Sequence, residues 1–174
     1  MQSVEGLQRR TDAKIRYARV HFEELRPMRP LDSSDFGRAH QESFLFHLFG
    51  ARDALIAELN VYYGIGLPPD DLTAGKLRSP LESRGLKSPE LVKLRELEDD
   101  EASWFRWMKD MRDHSTHRQG VARAYFMSGL VKLKHHATGQ LTERDLIDEF
   151  DAWLVRMEEL VLALRASAHA SNAP

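Results

Sequence analysis

The chain has 174 residues, enough for one domain with a real core and too few to lead us to expect two. It is 42% apolar and 30% charged, an ordinary globular composition, and its formal net charge of −2 does not by itself advertise a polyanion partner. Cysteine is absent, which excludes disulfides, thiolate metal sites and a cysteine nucleophile. No apolar run approaches the ~18 residues of a membrane span, and Met1–Arg10 lacks the apolar stretch of a signal peptide. The expectation is a cytoplasmic protein with no membrane association.

Residues 4–26 read as a first helix, with Ile15, Ala18, Phe22 and Leu25 at helical spacing. Pro27 and Pro30 end it. Asp32, Ser33 and Ser34 offer N-caps for a long second helix reaching Tyr63. That helix carries two adjacent apolar stripes, one through Phe44, Leu48, Ala51, Leu55 and Leu59 and one through Leu45, Phe49 and Ile56. A line of small residues, Ser43, Gly50, Ala54 and Ala57, flanks them. Its apolar and small arc exceeds half the circumference, so the helix is either central or shared with a second copy of the chain.

GIGLPPDD (64–71) is a loop. A short helix follows over 73–84 and Gly85 stops it. Ser88-Pro89 opens another helical pattern running to about Ser115, with the acidic run EDDE (98–101) as the place where it would break. Residues 121–136 read either as a helix or as a β-hairpin around Ser128-Gly129, and the hairpin is preferred. Within them, His135-His136 is expected at the surface. Thr142 with Asp145 resembles a capping box opening a last helix, whose stripe runs through Leu146, Phe150, Trp153, Met157, Leu160 and Leu164. The expected architecture is one all-α helical bundle over 1–165, with a short hairpin and a disordered tail over 166–174.

The chemistry concentrates in WMKDMRDHSTHRQG (107–120). Arg112 and His117 form an R-x4-H pair suited to cutting RNA without a metal. The imidazole takes the 2′-hydroxyl proton, and the guanidinium holds the phosphate. The bare pattern is weak, because 18 arginines and eight histidines give about one such pair by chance. Arg16 and His21 match it as well. Context separates them: Arg112 follows the amphipathic run Trp104, Trp107, Met108, Met111, is followed by Asp113, and approaches a helix end. Residues 112–136 also carry Arg112, Arg118, Arg123, Lys132 and Lys134 against Asp113 alone, the charge balance of an RNA-facing patch.

Over residues 35–165 the chain resembles the stand-alone bacterial HEPN proteins. The features that carry the resemblance are FLFHLFGARDALIAELN on a long helix, then a Trp-rich helix running into Arg112-Asp113-His114-Ser115-Thr116-His117. The resemblance implies a HEPN-like bundle, a homodimer whose two motifs line one cleft, and metal-independent endoribonuclease action in a toxin, phage-defence or stress setting. A cognate antitoxin protein is an implied partner. Arg112 and His117 would then be catalytic, Asp113 would orient them, and His114, Arg118 and Arg123 would bind substrate. Asp113 stands where Asn is commoner, and it is placed to ion-pair with Arg112. Residues five apart on an unbroken helix point about 140° apart, so Arg112 and His117 converge only if the helix frays near Ser115 or a second copy contributes.

The competing readings are structural. Arg112, His114, His117 and Arg118 would complement the negative end of a helix dipole, with Gly120 beyond it. A HEPN-like fold would also serve as a silent dimerisation module or one that binds a nucleotide or partner. His40 and His47, one heptad apart, with Glu42, Glu58, His114 and His117, lack the Glu-x-x-His or His-x3-His spacing of bundle metal sites. No metal and no cofactor is expected, and His47 reads as a hydrogen-bonded packing residue.

Overall fold

In the computed structural model, residues 3–28, 34–85, 88–117, 123–135 and 138–171 are described. Among them run six helices and one small sheet. The helices are α1 (Val4–Leu25), α2 (Asp35–Tyr62), α3 (Ala74–Ser83), α4 (Pro89–Asp99), α5 (Trp104–His117) and α6 (Leu146–Ser171). Strands β1 (Arg123–Tyr125) and β2 (Val131–Leu133) form an antiparallel hairpin between α5 and α6. The fold is all-α with a short hairpin. None of the helices is long and apolar enough to cross a membrane.

The N-caps follow the sequence. The Ser34 hydroxyl accepts from Gly37 N–H (3.1 Å), Thr73 from Lys76 N–H (3.1 Å) and Ser88 from Leu91 N–H (3.3 Å), each satisfying a donor the helix itself leaves open. Gly85, at φ +73°, ends α3 in the left-handed conformation that favours glycine. The expected break at the acidic run occurs. Asp100 Oδ1 turns to accept from Ala102 N–H at 2.9 Å, and Ser103 restarts the chain as α5 by accepting from Arg106 N–H at 3.0 Å.

α2 is the central helix. Its wide arc is covered within the chain, because α1, α3, α5 and α6 all pack on it. Phe44 stacks on Phe150 of α6 (4.7 Å between centroids), Phe22 of α1 meets Phe44 (6.0 Å), and Phe49 meets Phe105 of α5 (5.6 Å). Glu58, only 2% exposed, is met by Arg165 of α6 through two bonds of 2.8 and 2.9 Å and by Thr11 of α1 at 3.1 Å. Arg165 also reaches Asp12 at 2.7 Å, so one guanidinium ties three helices together.

Three local expectations change. The cap of α6 is Asp145, whose Oδ1 accepts from Ile147 N–H at 3.1 Å. Thr142 instead pins the hairpin, accepting from Leu133 N–H at 3.1 Å, while Asp145 Oδ2 accepts from Val131 N–H at 2.9 Å. The same short segment must close both the hairpin and the helix, so the two polar side chains divide the donors. Second, α6 continues to Ser171, past the boundary expected at 165. Ala168 is buried there and its carbonyl accepts from Tyr62 Oη at 3.4 Å, so the Ala-rich stretch has a packing surface as well as helix propensity. Third, His135 is buried rather than at the surface. It packs on Trp107 (5.1 Å between centroids), and its Nδ1 accepts from Thr138 N–H at 3.3 Å. His136 lies outside the described residues.

Candidate functional site

The rotation of α5 is set by its apolar residues. Phe105, Met108 and Met111 are fully buried, and Arg112 follows Phe105 and Met108 on one helical line at i+7 and i+4. A charged residue at the edge of a buried stripe must cover apolar surface with its stem and keep its head solvated. Arg112 does so against α2. Its guanidinium carbon lies 4.0 Å from the centroid of Phe49, inside the range of a cation–π contact. Nη2 of Arg112 also pairs with Asp113 Oδ1 at 2.6 Å, while Asp113 Oδ2 accepts from Lys109 at 2.9 Å. Partial burial would raise the Asp113 pKa, but the Lys109 hydrogen bond and the Arg112 guanidinium outweigh it and hold the carboxyl below its usual range.

Arg112 forms one lip of a groove of ≈ 360 Å³ between α1, α2 and α5. The opposite lip is Arg10 and Lys14 of α1. The floor is Phe46, Phe49 and the small residues Gly50, Ala54 and Ala57 of α2. The Lys14 stem runs directly over Gly50, where a Cβ would stand in ordinary contact, 3.4 Å from both Cδ and Cε. Lys14 Nζ lies 4.6 Å from the Phe46 centroid and 3.4 Å from His47 Nδ1. Asp53 is the one carboxylate among the lining residues, and it is already engaged by Arg52 at 2.8 Å. Three cations around an aromatic and small-residue floor suit an anionic, partly flat ligand. The small-residue line was legible in the sequence, but the two α1 cations facing it were not.

The remaining site residues disperse. His114 Nε2 stands 3.5 Å from Asp110 on its own helix. Arg123, on β1, donates to Gln41 of α2, eight residues and so about 12 Å along that helix from Phe49. α5 is helical through His117, so there is no fraying at Ser115 and positions 112 and 117 are about 140° apart around the axis. The His117 side chain and all of Arg118 lie outside the described residues.

The profile of one protein family matches residues 9–171, from α1 to the end of α6. The chain belongs to the DUF6586 family, a family of unknown function. No curated protein and no solved structure matches it.

The span matched to DUF6586 contains the whole groove and a second cluster beside it. His21 of α1, treated in the sequence only as half of a chance motif, sits between His40 and His47 of α2. His21 Nδ1 is 3.2 Å from His40 Nδ1, and the rings of His21 and His47 stack at 5.6 Å with 9° between planes. Burial, helped by the charge of His40, lowers the His21 pKa against a smaller opposing effect of Glu24; burial, Lys14 and His21 lower that of His47. The heptad spacing of His40 and His47 was the available signal. The rotation of α1 that brings His21 between them depends on how the two helices pack and has no local signal.

Proposed function

We propose that this chain is a metal-independent endoribonuclease of the HEPN type that works as a homodimer in a toxin, defence or stress setting. The observation that carries the reading is Arg112, held over Phe49 at the lip of a groove whose other lip is Arg10 and Lys14. Such a groove favours a phosphodiester, since guanidinium forks bind phosphate oxygens in pairs and Lys14 adds a point charge. In this reading His117 removes the 2′-hydroxyl proton and Arg112 stabilises the charge that develops on the phosphate, leaving a 2′,3′-cyclic phosphate end. Since positions 112 and 117 diverge on one straight helix, the base opposite each Arg112 comes from the motif of a second copy.

A second reading, a silent RNA- or nucleotide-binding module, is favoured by the Asp113 carboxylate, which already occupies part of the Arg112 guanidinium. One experiment separates the two. End-labelled single-stranded RNA is incubated in EDTA with the unmodified protein, Arg112→Ala and His117→Ala, and both binding and cleavage are read. The nuclease reading expects cleavage by the unmodified protein, none by either variant, and binding retained by His117→Ala. The module reading expects binding that Arg112→Ala weakens and no cleavage by any of the three. Absence of RNA binding at low salt would overturn both, and cleavage that needs added Mg²⁺ would overturn the metal-free chemistry.

A further inference from the structure

His21 lies near the end of α1 and His40 in the second turn of α2, so their contact comes from helix packing and not from sequence proximity. Their Nδ1 atoms face one another at 3.2 Å. Two imidazole nitrogens bound at 2.0–2.1 Å to one tetrahedral Zn²⁺ stand roughly 3.3–3.4 Å apart. An ion held by both nitrogens therefore needs them to part by only a few tenths of an ångström, with each ring turned so that its lone pair points off the N–N line to a common point. The flanking rings hold this arrangement, with Phe36 4.3 Å from His40 on one side and His47 stacked on His21 at the other. We propose that His21 and His40 form a two-point site for a divalent transition-metal ion of the class that prefers imidazole, namely zinc, nickel, copper or cobalt, which bridges α1 to α2.

Without the ion, a single N–H···N hydrogen bond satisfies the facing nitrogens. Binding displaces that proton, which costs least when both rings are neutral. No group of three or more histidine or carboxylate side chains converges on a common point among the described residues. The site is accordingly a pair with open positions, filled by water or an outside ligand, and Glu24 one turn beyond His21 is near enough to act on its charge. Hard oxygen-seeking cations such as Mg²⁺ and Ca²⁺ do not suit two nitrogen donors. The inference is independent of the proposed nuclease activity, because neither histidine lines the Arg112 groove.

The test uses the full-length protein without a histidine tag, titrated with ZnCl₂ by calorimetry, with CoCl₂ by visible absorption, and melted with and without Zn²⁺. The expected result is saturable binding of one equivalent, a raised melting temperature, and no response to MgCl₂. His40→Gln and His21→Gln keep size and polarity while removing one donor each, and each is expected to lose saturable binding. His114→Ala is expected to keep it, since His114 lies on α5 beside Asp110 and takes no part in the pair. Absence of saturable binding to the unmodified protein overturns the proposal. So does unmodified affinity in either Gln variant that melts cooperatively, or loss of binding in His114→Ala.

Discussion

Arg112 of α5 lies over the ring of Phe49 of α2, with 4.0 Å between guanidinium carbon and ring centroid, so the residue with the most pointed chemistry in the chain is also a packing residue. Its replacement therefore has two readouts. Arg112→Ala should remove a cation–π contact worth about 0.5–2 kcal/mol, lowering the melting temperature by a few degrees as well as weakening RNA binding. Arg112→Lys keeps the charge but not the flat guanidinium, and should recover part of the binding and little of the stability. Equal melting temperatures for the unmodified protein and Arg112→Ala would show that the contact contributes nothing.

Ala54 bears on the oligomeric state in a way the sequence did not reveal. It is only 5% exposed within a single copy, beside Arg10, Lys14 and Asp53 around the groove. Ala54→Arg should thus overpack α1 against α2 and cost about 1–3 kcal/mol, seen as a lower melting temperature. It is no clean test of dimerisation. Light scattering of the unmodified protein across a concentration series is, and a mass that stays monomeric at high micromolar concentration would remove the two-motif cleft.

The Glu58–Arg165 pair should be among the most sensitive points in the fold. Removing one partner strands the other charge between α1, α2 and α6, so Arg165→Met is expected to cost about 3–5 kcal/mol. Glu58→Gln with Arg165→Met together should cost less than Arg165→Met alone, because no buried charge is left unpaired. A double variant less stable than both single ones would contradict this account.

Stability should fall on mild acidification. An unfolded histidine titrates at about 6.5, whereas His21 and His47 have lowered values in the fold. As pH drops below about 6.5 the unfolded chain takes up protons that the folded one resists, so the unfolded state gains. The contribution is fully present above that value and is lost through the window down to the folded pKa values. Urea melts at pH 7.5 and 5.5 should show this loss, and His21→Gln should reduce it. A stability that is flat between the two pH values would show that the histidine row does not titrate with folding.

Much of the fold was legible because its determinants are local. Periodicity marks three helices, read over 4–26, 35–63 and from Leu146 to Leu164, each within a residue of the observed bounds except at the end of α6; Ser34 and Ser88 cap two, and Gly85 stops one, through interactions spanning four residues or fewer. The hairpin was ambiguous because 121–136 holds too few alternating residues to outweigh a helical reading, and what decides it is distant: Thr142 and Asp145 supply acceptors to β2. The continuation of α6 to Ser171 depends likewise on Tyr62 and on burial of Ala168.

For the candidate site, the sequence determined which residues carry charge and that Arg112 ends an amphipathic stripe. It left the width of the α2 surface open between a central helix and a shared one. Only the tertiary structure decided that α2 is central, that Arg10 and Lys14 face Arg112 across Gly50 and Ala54, and that His21 meets His40. The reason is geometric. Sequence spacing gives the direction of a side chain about its own helix axis, but which two faces meet depends on how neighbouring helices are rotated and how far each is shifted along the other.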